Sequence, residues 1–509
     1  MFNSNSWKHL PKWSYLLAYH NDKYFKIMLS KSKLPFGMNK LQPWSQYNSI
    51  LETLLATKLP VEELPKYVTL AKKFVRRGCV EKLEKAILDQ IPYWDILYPH
   101  QMKAVAYGIQ DYKGRVYLAD EMGVGKSFSA ITIVNYLMLK RPDVRKILII
   151  CPASLKKNWT DIVRNKLVVQ QSEVVILSYD KAKNLKKELK AKKFDLYLAD
   201  EAHCLKDPKS QRYKKLAPIL KKIEFRVLLS GTPTVNRANE LYSPLSLLYP
   251  KLFKSYRKYN DRYFNVISRK CRLPAELSLM LPLFGFVRRL KTQVLALPEK
   301  KIKVHNINVP NASKDLNIMM KKMLLEENAN NPNFLKYLIG EAFHKLGFIK
   351  SHNEIFKNML QSLIQEEGEK GQQKVVFCFH KSMVECVRQL CESLNFSYMV
   401  INGETVPKKR GKIVEDFQNK QYKVIICSIN AAGVGITLTS ANHVILAECS
   451  WVPGLNQQAI DRVHRIGQDK TVYVDRIHCT NSIDDFITKC ENSKSKMHLL
   501  LMRHAKANV

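Results

Sequence analysis

The chain has 509 residues, 46% of them of hydrophobic types, which at roughly 150 residues per domain suits about three domains rather than one. Lys and Arg number 83 against 45 Asp and Glu, a formal net charge of +38 spread along the whole chain, which favours nucleic acid as partner, with an anionic membrane surface the other candidate. The 11 cysteines form no Cys-x-x-Cys pair, the polar start from Met1 to Ser6 offers no signal peptide, and no apolar run approaches the ~20 residues of a bilayer span. A disulfide framework, a zinc finger and a membrane anchor are set aside, and a soluble protein of a reducing, intracellular compartment is expected.

Residues 1–95 hold several Trp and Tyr, many Lys and Pro-containing breaks. They read either as a small separate accessory module or as a helical appendage that buries its aromatics on the neighbouring domain. From Gly114 onward short β-branched apolar runs alternate with longer Lys-rich amphipathic stretches. The first runs are Arg115–Ala119, Lys146–Cys151, Val174–Ser178, Asp195–Ala199 and Arg226–Leu229. Unbroken apolarity marks strands covered on both faces, as in a parallel sheet flanked by helices. After a helical, Asn/Lys-rich interval the format restarts with Lys374–Phe379, Tyr398–Ile401, Lys423–Cys427, His443–Ala447 and Thr471–Ile477. Two successive doubly wound α/β units are expected.

The first unit carries a phosphate cradle. Tyr117-Leu118-Ala119 leads into Asp120-Glu121-Met122-Gly123-Val124-Gly125-Lys126-Ser127 and then a helical stretch. Gly123 and Gly125 let backbone N–H groups approach phosphates beside Val124, Lys126 reaches the β- and γ-phosphates, and Ser127 ligates Mg²⁺. The general loop pattern wants glycine where Asp120 stands. Downstream, Asp200-Glu201-Ala202-His203 follows a buried run, so both acids sit at the C-terminal end of a strand, where α/β sheets place ligand residues. Asp200 is assigned to Mg²⁺ and Glu201 to the attacking water; the plainer alternative is that they cap the next helix. In the second unit, Gln458, Arg462 and Arg465 share one stretch. The two arginines are three apart, close to one helical turn, and suit γ-phosphate oxygens.

These motifs, in this order from about Ile91 to Ile477, resemble the SWI/SNF-related family of DNA-translocating ATPases of helicase superfamily two. The resemblance implies two tandem RecA-like lobes with a small N-terminal module and helical insertions: 1–95 accessory, 96–300 first lobe, 301–373 helical inter-lobe region, 374–490 second lobe, 491–509 basic tail. It implies ATP and Mg²⁺ as cofactors and double-stranded DNA as partner. Residue by residue, Tyr98-Pro99-His100-Gln101 is similar to the adenine-reading element, with Gln101 at the base. Cys151-Pro152-Ala153-Ser154-Leu155 with Asn158-Trp159 is similar to a DNA-contacting element, and Ser230-Gly231-Thr232-Pro233 to the element that couples nucleotide state to DNA grip. Ser428 to Leu438 with Trp451 resembles the second lobe's DNA side. Asp461 to Gln468, ending His-Arg-Ile-Gly-Gln, is particularly characteristic of the family. Lys156, Lys157, Trp159, Lys206, Arg237 and Trp451 are the expected DNA contacts.

Within the family the annealing-helicase branch is nearest, on Leu228 to Pro233 followed by Glu240-Leu241-Tyr242 and on Val287-Arg288-Arg289-Leu290-Lys291. That branch carries a DNA-structure-sensing HARP module, of which Trp44 to Leu70 would be a worn version. Remodelling or reannealing of forked DNA during repair or replication, in the nucleus, is the implied activity. Nucleosome remodelling and strand separation on DNA or RNA are the alternatives, and replication or repair proteins the further partners.

Overall fold

The computed structural model describes residues 15–19, 24–29, 41–56, 61–62, 64–65, 68, 80–233, 238–265, 271–309, 332–432, 435–450, 452–489 and 492. The chain divides into two compact units, the first running to Val294 and the second from Leu295 to Ser495, with loop residues Met122–Val124 counted in the second. Among the described residues no helix is long and apolar enough to cross a membrane.

The first unit opens with a small four-stranded sheet in the order β3-β2-β1-β4, formed by β1 (Tyr15–Tyr19), β2 (Tyr24–Leu29), β3 (Leu41–Pro43) and β4 (Val61–Glu62). A helix, Tyr47–Ala56, follows β3. Its Leu54, together with Leu64 and Val68, is buried in the same apolar cluster as the main core, and the Tyr47 hydroxyl accepts from Leu64 N at 3.3 Å. The N-terminal segment has its own sheet, and its helix, Leu64 and Val68 pack into the neighbouring core.

The main sheet of this unit is six-stranded and wholly parallel, in the order β10-β5-β9-β8-β6-β7. Its strands are β5 (Arg115–Leu118), β6 (Lys146–Cys151), β7 (Glu173–Ser178), β8 (Leu196–Ala199), β9 (Phe225–Leu229) and β10 (Phe286–Val287). The unbroken apolar runs of β8 and β9 are buried along their whole length, as strands covered on both faces require.

The second unit repeats the plan. Its six parallel strands run β11-β16-β15-β12-β14-β13: β11 (Lys300–Ile307), β12 (Lys374–Cys378), β13 (Tyr398–Ile401), β14 (Val424–Ser428), β15 (His443–Leu446) and β16 (Val472–Cys479). Alternate residues serve two cores. Val376, Ile426 and Ile445 face one apolar cluster and Val375, Ile425 and Val444 the other. Two sheets of this kind are the tandem RecA-like architecture expected from the sequence.

Besides the N-terminal strands, two strands of the main sheets were not legible. β10 is two residues long, too short to register as a run. β11 falls among residues read as a helical interval, because its Lys300-Lys301-Ile302-Lys303-Val304 pattern is that of an exposed edge strand, with Ile302 56% and Val304 48% exposed.

β11 is nonetheless tied to the sheet by charge. Asp475 on β16, 1% exposed, meets His305 Nε2 of β11 at 2.7 Å, His443 Nε2 of β15 at 2.8 Å and Lys370 Nζ at 2.7 Å. Burial alone would push the Asp475 carboxyl up; its His443, Lys370 and His305 partners hold it well below the usual carboxylate range. Burial pushes the His443 imidazole down despite that carboxylate. In both cases the unfolded chain binds the proton more readily. The two contributions are therefore complete above the ordinary histidine value of 6.5 and are lost on acidification, His443 first and Asp475 below its ordinary 3.8. The melting temperature is expected to fall between pH 7 and pH 5, and His443→Asn to flatten that dependence; a variant as pH-sensitive as the wild type would disprove the assignment.

Candidate nucleotide site

The site is assembled at the C-terminal ends of β5, β9 and β8, three adjacent strands of the first sheet. β5 turns into the loop Asp120–Gly125, and a 15-residue helix, Lys126–Lys140, begins immediately after it. Gly123 and Gly125 take φ of 80° and 81°, left-handed values that cost other residues ~1–2 kcal/mol. At Gly125 space is decisive as well: a Cβ there would lie 2.1 Å from Gln101 Nε2. Gln101, 4% exposed on the helix Pro99–Ala106, donates instead to Gly125 O at 3.2 Å, while its Oε1 accepts from Tyr98 N at 3.0 Å. Lys126 Nζ donates to Asp120 O and Glu121 O, both at 3.0 Å. Burial pushes this amine down and the Glu201, Asp120 and Asp200 carboxylates pull it back up. Val124 is 1% exposed beneath the loop, and Ser127 is half-buried at the second position of the helix. A glycine loop that leads into a helix start, with an ammonium beside it, has the donor chemistry of a phosphate site.

Asp200 and Glu201 follow β8 and are 8% and 9% exposed. Burial first, and the Glu201 charge second, push the Asp200 carboxyl up to about 6 against two donors that favour its ionised form. These are Trp159 Nε1, 2.8 Å from Oδ2, and Glu201 N, 2.8 Å from Oδ1. The Tyr179 hydroxyl donates to Asp200 O at 2.7 Å. Glu201 sits at φ 50°, a left-handed conformation rare outside glycine. Its Oε2 lies 3.1 Å from His203 Nδ1, which in turn is 3.0 Å from Ser230 Oγ. That hydroxyl accepts from Thr232 N at 3.1 Å, so the turn Ser230-Gly231-Thr232 is joined through one imidazole to the second acid.

Several expected positions differ from their assigned surroundings. Trp159, read as a DNA contact, is fully buried: it is the one buried residue of the helix Lys156–Lys166, and its indole serves Asp200. Lys156 and Lys157 on that helix are half-buried and exposed. Lys206 Nζ pairs with Glu240 Oε1 at 3.1 Å. Arg237 and Trp451 lie outside the described residues.

In the second unit, the helix Pro453–Ile460 carries Gln458 and stops before both arginines. Arg462 and Arg465 therefore sit on turns rather than on the one helical face that their spacing suggested. Helices end where main-chain geometry stops propagating, and here Arg462 N and Val463 N bond three residues back, to Ala459 O and Ile460 O, at 3.1 and 3.0 Å. Arg462 and Gln458 are 6% and 5% exposed, and Arg465 Nη1 reaches Ile436 O at 3.4 Å. The Gly-Gln ending has a plain structural use. Gly467 takes φ 95°, and Gln468 Nε2 donates to Ala441 O at 2.8 Å and Thr439 O at 3.2 Å, pinning the turn to the loop that precedes β15.

Sequence reasoning missed a strap. Residues running on from β10 lie alongside the phosphate loop: Ala119 N bonds to Val287 O at 2.8 Å, Glu121 N to Arg289 O at 3.0 Å, and Lys291 N to Glu121 Oε2 at 2.8 Å. Arg288 Nη1 reaches Ala119 O and Gly231 O, and Arg289 forms a buried ion pair with Asp120. The signal was present in the departure at Asp120, an acid where glycine was expected.

Two parallel, doubly wound sheets, the first with a phosphate loop and an acidic pair at the ends of adjacent strands, define the class of two-lobed helicase-type nucleotide-binding proteins. The SNF2-related domain model matches residues 100–167 and 161–399, more than half of the chain, and the helicase conserved C-terminal domain model matches residues 354–467. The chain belongs to the SNF2-related family. A SWI/SNF-related matrix-associated actin-dependent regulator of chromatin subfamily A-like protein 1 homolog of Caenorhabditis elegans is 29% identical over 465 residues, 86% of this chain and 66% of that protein. The human DNA annealing helicase and endonuclease ZRANB3 is 30% identical over 460 residues, 82% of this chain and 42% of that protein. A Sulfolobus solfataricus SWI2/SNF2 ATPase core in complex with dsDNA, 24% identical, aligns over 80% of this chain and 94% of that one with a TM-score of 0.38, a value that leaves the fold to rest on the sheets themselves. The chain thus spans 42% to 66% of the length of these curated relatives.

The Trp159 bond yields a test. Trp159→Phe keeps the ring and removes the donor, so nucleotide turnover is expected to fall by ~10–100-fold, the scale of losing a partner that orients a site carboxylate. Duplex-DNA affinity without nucleotide should stay at the wild-type value; a selective loss of DNA binding would restore the contact role.

Proposed function

We propose that this chain is an ATP-dependent translocase on double-stranded DNA that remodels or reanneals branched and forked DNA. The observation that carries the reading is the single edge at which Gly125, Lys126, Asp200 and Glu201 converge with Ser230. It is supported by membership of the SNF2-related family and by relatives named as annealing helicases.

In this reading Gln101 reads the base and the loop Gly123–Ser127 takes the phosphates. Ser127 and Asp200 would hold Mg²⁺, which would supply positive charge to offset that of the phosphates. Glu201 orients a water and accepts its proton, with its φ of 50° and its His203 partner fixing where the carboxylate points. The family resemblance assigns Arg462, Arg465 and Gln458 to the same reaction, guanidinium forks being suited to charge that develops on a γ-phosphate. Ser230, Gly231 and Thr232 carry the state of Glu201 to the surrounding loops. Grip on duplex DNA through Lys156, Lys157 and other cations would be to phosphates, since a tracking motor must tolerate every sequence. A nuclear site of action is part of this proposal, supported by the chromatin and annealing-helicase names of its relatives.

The test is ATP turnover by the purified protein alone and with single-stranded, duplex or forked DNA, nucleosomes and RNA. Strong stimulation by forked and duplex DNA is expected. Stimulation by single strands or RNA alone would replace this reading with strand separation, and by nucleosomes alone with chromatin remodelling. Lys126→Ala is expected to abolish hydrolysis and to leave duplex affinity unchanged; equal loss of both would make the loop a structural element.

A further inference from the structure

The phosphate loop begins with an acid, and the structure shows what that acid does. Asp120 is 1% exposed and so is Arg289. Arg289 Nε donates to Asp120 Oδ1 at 2.9 Å, Nη2 pairs with Asp120 Oδ2, and Nη1 donates to His100 O. One guanidinium therefore holds two elements that the chain separates by twenty residues: the start of the phosphate loop and the helix that carries Gln101.

The contacts close into a ring around the nucleotide cradle. From Asp120 the backbone supplies two carbonyls, Asp120 O and Glu121 O, that hold Lys126 Nζ at 3.0 Å. From His100 the next residue is Gln101, whose amide reaches Gly125 O at 3.2 Å. Gly125 and Lys126 are consecutive, so Arg289 grips both ends of the path on which the cradle lies. Its own carbonyl accepts from Glu121 N at 3.0 Å, which fixes the strap to the loop by main chain as well. A planar fork offers a carboxylate two parallel donors and keeps a third in the same fixed plane for a carbonyl; an ammonium has no such fixed bidentate geometry.

We infer that Arg289 is a positioning residue for nucleotide recognition: through Asp120 and His100 it sets the distance between the base-reading Gln101 and the phosphate loop. This rests on the nucleotide site proposed above and deepens it. It also explains why the loop departs from glycine at Asp120, because a glycine there would leave the buried guanidinium without its carboxylate. Arg289 touches no nucleotide in this account. Its effect is on affinity and on discrimination between bases, since both depend on where Gln101 stands relative to Lys126.

The experiment measures binding of non-hydrolysable fluorescent analogues of ATP and GTP to the full chain, beside melting temperature and duplex-DNA affinity without nucleotide. Arg289→Lys keeps the charge and loses the fork; Asp120→Asn keeps the shape and loses the ion pair. Both are expected to weaken the ATP analogue by about tenfold, the scale of one lost charge-assisted hydrogen bond, and to narrow the preference for the ATP over the GTP analogue. Duplex affinity should stay within about twofold, because backbone phosphate contacts do not depend on this edge of the sheet. A merely structural role would lower the melting temperature and leave nucleotide affinity and base preference at wild-type values, which overturns the inference. A wild type that binds neither analogue overturns the proposed function and this inference together; a wild type that binds beside variants that bind equally well overturns this inference alone.

Discussion

Charge buried at the C-terminal edge of the first sheet is the constraint on which the rest of the molecule depends. Asp120, Asp200 and Glu201 are at most 9% exposed, and Arg288 and Arg289 are 6% and 1% exposed beside the Lys126 amine. Taken singly, each would be driven toward its neutral form or toward solvent. Together they are three anions and three cations, and the parallel sheet brings them to one edge although up to 169 residues separate them in the chain. The cost of burial is met group by group. Asp120 has Arg289, Asp200 has the Trp159 and Glu201 N–H donors, Glu201 has His203, and Arg288 has the carbonyls of Ala119 and Gly231. Removing one partner of such a set strands the other, so the surrounding helices are held in place by their service to this edge as much as by apolar packing.

The partners are of two kinds, and the difference matters for what the site can do. Asp120 is answered by a full positive charge and stays fixed. Asp200 accepts from two neutral N–H groups and feels the Lys126 charge without pairing to it, and its carboxyl is pushed up to about 6. An acid left in that condition is open to a cation, whereas one already paired is not. The same distinction separates Lys126, whose donors rest on main-chain carbonyls that carry no net charge, from Arg289, whose fork is saturated. The site therefore contains a rigid pair that holds its shape and a reactive set that awaits ligands, built from the same residue types.

Much of this was legible in the sequence. Both sheets followed from unbroken apolar runs, and Lys146–Cys151 and Tyr398–Ile401 matched to the residue. The loop and the acidic pair were found from spacing, because each must follow a strand directly. What escaped was whatever depended on partners distant in the chain. Trp159 stands next to Lys156 and Lys157 in a polar helix, and nothing local distinguishes a tryptophan that touches a ligand from one that bonds to a carboxylate forty-one residues away. Arg289 escaped for the same reason, 169 residues from Asp120. β11 escaped because edge strands are written with lysine and read like loops. The helix expected under Arg462 and Arg465 failed because spacing of three suits a turn as well as a helix.

The second unit makes the same use of an under-answered charge. Arg465 stays protonated in any folded environment. Burial pushes its guanidinium down from the ordinary value, and Asp461 four residues back pulls it up. Its bond to Ile436 O is long at 3.4 Å, and Nε has no partner among the described residues. Asp461 itself is shared, since one of its oxygens accepts from Gln457 Nε2 at 2.7 Å. A guanidinium so placed, with its Nε buried and unbonded, costs its own unit stability. Gly467 and Gln468 hold the turn in shape through the bonds of Gln468 to Ala441 and Thr439, and Arg465 keeps one long bond to Ile436 O. The rigidity of this ending and the incomplete satisfaction of Arg465 are one design: the first without the second would be a plain loop, and the second without the first would let the side chain find a partner at home.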